Sequence, residues 1–202
     1  MRHLLTAIAL TACAPGLPPS LHLTIDGSTV PGCAFYTRNG DIIHLWLHPA
    51  PGSVVQSLEF GLSVRRPAPL VLPLWPIDYV SEGELPRWRR EGGGYGRAFS
   101  RPGTLWFVRS GRVVVDRLDY DRLIGSFEAE AVFRPPRLDA TTVVRRSFTG
   151  RFVALHDRKY ERFVYRTPAE FNKPPPPHVC DRDRRAERSV ASDERGTLIL
   201  AP

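Results

Sequence analysis

The sequence predicts an all-β fold, either an antiparallel β-sandwich or an incomplete barrel. Apolar and polar residues alternate with a period of two in run after run between Leu21 and Leu155, the period of strands rather than helices. Twenty prolines and 16 glycines punctuate those runs, as suits short strands joined by turns. At 202 residues the chain has the length of one domain, and its middle is long enough to bury a core.

Taken in order, Leu21, Leu23 and Ile25 share a face opposite His22 and Thr24. Ile43, Leu45 and Leu47 then oppose His44, Trp46 and His48, and a turn over Pro49–Gly52 follows. Leu58, Phe60, Leu62 and Val64 alternate with Glu59, Gly61 and Ser63. Each run reads as a half-buried strand of an antiparallel sheet. From Pro67 to Arg101 five prolines (67, 69, 73, 76 and 86) interrupt the pattern. Proline cannot donate to a central ladder, so an edge strand and long loops are predicted there, with Gly92–Gly96 as a flexible turn.

Order returns at Thr104. Thr104–Arg109 and Arg112–Leu118 read as strands separated by Ser110-Gly111, a two-residue hairpin signal. Asp119–Asp121 supplies the next turn. Phe127, Ala129, Ala131 and Phe133 line one face of the following strand, which Pro135-Pro136 ends, and Thr141–Leu155 provides one or two more. Gly125-Ser-Phe-Glu-Ala and Gly150-Arg-Phe-Val-Ala share a Gly-x-Phe-x-Ala pattern. That echo is compatible with two neighbouring strands of a meander, Gly easing a bend and Phe packing inward. Beyond Phe171 a tail is predicted: polyproline II over Pro174–Pro177, then a disordered stretch, Asp181–Arg195, in which acidic and basic residues balance. Thr197–Leu200 is either a late edge strand or an apolar tail. The β domain is therefore placed at residues 21–171 and the Pro-rich, charged tail at 172–202.

The amino terminus carries an address. Arg2 and His3 precede an apolar stretch, Leu4–Leu10, far short of the roughly 20 residues that a bilayer-crossing helix needs. No clean small-x-small cleavage site lies ahead of Cys13. Leu10-Thr11-Ala12-Cys13 instead resembles the lipobox of bacterial lipoproteins. The resemblance covers residues 1–13 alone. It implies a signal peptide over 1–12, a mature chain that starts at Cys13 with diacylglycerol on its thiol, and a Pro-rich spacer over 13–20. Two or more acyl chains anchor stably, at about 0.8 kcal/mol per buried CH₂. Ala14 in place of Asp implies, by the same resemblance, lipid-anchored residence in the outer membrane.

Basic residues exceed acidic ones by seven, and only Lys159 and Lys173 among them are lysines. Nucleic acid is not expected as a partner of an exported chain. The charge then makes a solvated basic surface, or faces anionic lipid and lipopolysaccharide phosphates. With Cys13 reserved for lipid, Cys33 and Cys180 remain as an even pair in a compartment that permits disulfides. Their pairing, or two unrelated thiols, are the alternatives. A bridge would close most of the chain, for which chain entropy allows at most about 4–5 kcal/mol.

Chemistry-bearing motifs are sparse. His44-x-Trp46-x-His48 projects to one face, but on a straight strand its two His stand about 13 Å apart, too far for one metal ion. Trp46 is then either a stacking platform or a ring packed under a loop. His156 and Asp157 point to opposite faces of a strand end and make no catalytic couple with each other. Arg87-Trp88-Arg89-Arg90, beside the glycines, is the best contact patch, joining phosphate-binding forks to an interfacial ring. Nucleophile elbow, zinc helix, dinucleotide and phosphate-loop signatures are all lacking. No catalytic residue, metal ligand or cofactor is assigned. The sequence reading is a non-catalytic envelope protein that binds a partner protein, glycan or lipid headgroup, or plays a structural role. An envelope hydrolase assembled from separate loops is the alternative.

Overall fold

The computed structural model describes residues 19–77, 85–100, 104–133, 143–164 and 178–180. The predicted leader, Cys13, the predicted spacer up to residue 18, Pro135-Pro136 and the predicted tail, apart from 178–180, lie outside the described residues. Among the described residues nine strands and two short helices run in the order β1 (Ser20–Ile25), β2 (Ser28–Asn39), β3 (Ile42–Pro49), β4 (Val55–Ser63), β5 (Leu70–Pro73), α1 (Arg87–Arg90), β6 (Gly93–Ser100), β7 (Thr104–Leu118), β8 (Arg122–Phe133), β9 (Val144–His156) and α2 (Arg158–Val164).

The all-β expectation holds, but the sheet is neither a sandwich nor an incomplete barrel. The pairing runs β7-β6-β4-β3-β2-β1-β9-β8, and β8 pairs again with β7, closing an eight-stranded antiparallel barrel. Closure leaves no free edge within the ring. The short β5 sits outside it, paired over Leu70–Pro73 with the part of β7 that lies beyond the pairing with β6. That segment is the edge strand expected of the Pro-rich region, and Pro67, Pro69 and Pro73 flank or end it. At β1 the wall has a wedge. β1 pairs along both sides, with β2 and with β9, and beyond its first residue β2 and β9 meet directly in a short parallel pairing, Ala34–Tyr36 against Ala154–His156.

Two turn expectations are corrected. Ser110-Gly111 is not a hairpin: it lies within the continuous β7, at a bulge where the register against β8 shifts between Val108 and Ser110. Gly111 has φ 139°, and a Cβ there would collide with the Glu128 carbonyl, so glycine marks a bend and a close approach. Gly92–Gly96 is likewise no turn. Only Gly92 and Gly93 have positive φ, and from Gly93 the segment is β6, fully paired with β4.

Alternation fills the interior. Leu21, Leu23, Leu45, Leu47, Phe60 and Leu62 meet Val113, Leu123, Phe127, Phe148 and Phe152 there, all 4% exposed or less. The Phe60 and Phe127 rings lie 5.2 Å apart. The Gly-x-Phe-x-Ala echo does fall on neighbouring strands, and reciprocally: Gly125 pairs with Phe152 and Phe127 with Gly150. A Cβ on Gly150 would come 2.7 Å from the Phe127 ring, and one on Gly125 3.0 Å from the Phe152 ring. Each glycine therefore leaves space for the other strand's phenylalanine. Trp106, also inward, satisfies its indole N–H on the Ser100 hydroxyl at 3.0 Å.

Candidate functional site

With the interior occupied by side chains, the hollows lie on the outside. The larger, about 660 Å³, is a groove between the end of β4 and β5, closed at one side by the end of α1. Arg65, Arg66, Val71, Trp75, Arg90 and Glu91 give it its character. Arg65 is fixed by Asp41, 3.3 Å from its Nε, and donates through Nη2 to the Arg89 carbonyl. Asp41 also accepts from the Ser63 hydroxyl at 3.4 Å. The Trp75 backbone N–H donates to Gly94 at 2.8 Å and its indole N–H to the Gly92 carbonyl at 3.4 Å, which sets the ring against the start of β6. Arg87 lies 3.8 Å over that ring and pairs with Glu91 at 3.0 Å. Such stacking orients a guanidinium that a bare loop would leave mobile.

α1 is a single turn, begun by Pro86 and halted at Gly92. It splits the Arg87–Arg90 patch into roles. Arg87 and Arg90 face solvent, the Arg89 carbonyl holds Arg65, and Trp88 is only 9% exposed, tilted against Tyr95 at 5.1 Å. The indole that the groove presents is Trp75, with Arg65 and Arg66 beside it, and these three were not singled out from the sequence. An Arg pair just ahead of Pro67 was the available signal, but nothing local tied it to α1, more than twenty residues later.

Trp46 sits elsewhere, packed under an outer cover. Phe35, across from it on β2, stacks with Trp46 at 5.9 Å, with His48 at 5.6 Å and with His178 at 4.8 Å. Tyr160 of α2 meets Trp46 edge-on at 5.6 Å. Cys33 and Cys180 form a disulfide, with Cα atoms 5.8 Å apart, which pins residues 178–180 onto this patch. Asp157 reinforces it: buried, it accepts the Tyr160 N–H at 3.0 Å as the cap of α2 and the Val179 N–H at 2.7 Å.

Two titratable clusters complete the wall. On β3, β4 and β6, Glu59 meets Arg97 at 2.6 Å; burial pushes the Glu59 carboxyl up more than Arg97 pulls it down. Burial, and then the like charge of Arg97, pushes His44 below the ordinary imidazole value, and burial raises Tyr95. At the barrel's end His156 Nε2 lies 2.6 Å from Glu161 Oε2, which also accepts the Arg38 backbone N–H at 3.0 Å. Burial works to raise Glu161, but these two hydrogen bonds outweigh it and hold the carboxyl below its usual range. Tyr36, stacked on His156 at 4.9 Å, is pushed up to about 12 by burial. His156 thus couples to a carboxylate in the next helix, not to the adjacent Asp157. A second hollow of about 480 Å³ lies over β1, β8 and β9, beside His22, Ser126 and Arg151. The His156–Glu161 pair lines neither hollow.

Among the described residues no helix is long and apolar enough to cross a membrane, and no three His, Cys, Asp or Glu cluster to hold a metal ion. No protein-family model matches the chain, and comparison with curated proteins and with solved structures returns no match.

Proposed function

We propose that this chain is a lipid-anchored protein of the bacterial envelope with a non-catalytic binding role, exercised from the outer wall of the barrel. The packed interior is the observation that carries the reading. Small-molecule carriers of this architecture need an empty calyx, whereas here leucine and phenylalanine fill it. Of the two hollows on the outer wall, the groove beside β5 is the larger and the one that joins arginines to an indole. Export is supported by the Cys33–Cys180 disulfide, a bond at home in an oxidising compartment. Of the three cysteines it leaves Cys13 for lipid. An envelope protein, a glycan or a lipid headgroup are the partners this surface suits, and outer-membrane residence is part of the proposal through Ala14.

The hydrolase reading draws on one observation, the short His156–Glu161 contact beside Tyr36. Glu161 there is already engaged by the Arg38 N–H, and the pair lines neither of the two hollows described above. Binding is therefore the better-supported role.

Metabolic labelling with a fatty acid tests the anchor. Label on the wild type and none on Cys13→Ala is expected; equal labelling of both overturns it. Turnover of chromogenic esters, phosphoesters or glycosides that disappears in His156→Gln would overturn the non-catalytic assignment.

A further inference from the structure

We propose that the groove beside β5 holds the phosphate of an anionic lipid headgroup. The inference rests on the envelope-binding reading and gives it a ligand class. Arg66 and Arg90 line the groove, both exposed, and neither guanidinium engages an acceptor among the described residues. Their neighbours are already committed: Arg65 to Asp41, and Arg87 to Glu91, the groove's carboxylate. Two guanidinium forks therefore remain over a site whose acidic groups are neutralised, an arrangement suited to bidentate contact with phosphate oxygens.

The rest of the lining selects an amphiphile over a bare ion. A volume of about 660 Å³ fits a headgroup rather than a single phosphate. Trp75, braced by Arg87, supplies the kind of ring that settles at the headgroup level of a bilayer. Val71 on the groove wall is 58% exposed, giving an apolar contact next to the charge. An acidic peptide added to β5 is disfavoured, because Pro73 in the strand and Pro67 and Pro69 before it withhold the donors that a ladder needs.

The test is co-sedimentation of the oxidised full chain carrying Cys13→Ala, which removes the lipid anchor, with vesicles of phosphatidylcholine alone or mixed with phosphatidic acid. The same chain with Arg66→Gln and Arg90→Gln is compared; both proteins share one leader, so any insertion by it cancels. Each Arg at an anionic surface is worth about fivefold in binding, so the double variant is expected to bind phosphatidic acid vesicles about twenty-five-fold more weakly. Binding that ignores phosphatidic acid, or is equal for the two proteins, overturns the proposal. Inorganic phosphate that binds the protein in solution and is lost in the double variant, with no retention of the protein on phosphatidic acid vesicles, also overturns it, assigning the groove to free phosphate. Fatty-acid labelling at Cys13 is read separately: a chain that is acylated yet ignores phosphatidic acid sinks this inference alone, and one that is not acylated but binds through Arg66 and Arg90 sinks the anchor alone.

Discussion

Gly125 and Gly150 show how far single atoms set the barrel's interior. Each stands where a methyl group would strike a backbone carbonyl, that of Val114 or of His22, and the ring of a phenylalanine on the facing strand. Neither carbonyl can move without breaking a ladder. Gly150→Ala is expected to cost about 1–3 kcal/mol, read as a lower denaturant midpoint with unchanged slope. An unchanged midpoint would mean that the space is not needed. The echo that contains these glycines is visible in the sequence, but their reciprocity is not, because it depends on the register between two strands. Trp46 illustrates the same limit. Its alternation with Leu45 and Leu47 is plain, whereas the ring that meets it edge-on is Tyr160 of α2, which no local pattern connects to it.

At the scale of elements, local rules succeed where a strand is straight and fail where it bends. β1 and β3 follow the alternation residue for residue, and β4 follows it only from Leu58 to Phe60. β7 breaks it around Ser110-Gly111, whereas β6 keeps it in burial from Gly94 to Ser100 with glycine at inward positions; in both, glycine bends a strand or admits a neighbour rather than reversing the chain. Gly96 makes room for Phe60 and Val108, and Gly94 for Leu62. Composition alone does not separate those uses from a turn. The α2 cap belongs to this scale too. Asp157 ties the helix start and residue 179 to the end of β9 with two hydrogen bonds. Asp157→Ala should cost about 2–3 kcal/mol by leaving both donors without their acceptor. Hydrogen exchange should quicken at Tyr160 and Val179 first; equal loss of protection throughout the barrel would contradict a local role.

For the molecule as a whole, the all-β class was legible and the closure was not. Sandwich and barrel share one alternation, and what separates them is the pairing of β7 with β8. The cysteine pair was legible only by elimination, after Cys13 had been set aside. Its contribution can be measured directly. Cys33→Ser with Cys180→Ser is expected to lose about 2–4 kcal/mol of stability, read by denaturant titration against the oxidised wild type. Coincident curves would show that Asp157 and the aromatic stack hold residues 178–180 unaided. The groove was half legible: Arg87–Arg90 announced a basic patch, while Arg65, Arg66 and Trp75 joined it only through the fold.

The wedge at β1 has a mechanical consequence. Ser20 begins a six-residue strand gripped on both flanks, and ahead of it β2 and β9 come together. A tether upstream of Ser20 would transmit traction along the strand axis. Both flanking ladders would then share the pull in shear instead of opening one rung at a time, and the molecule would meet drag at its grip rather than at a frayed end.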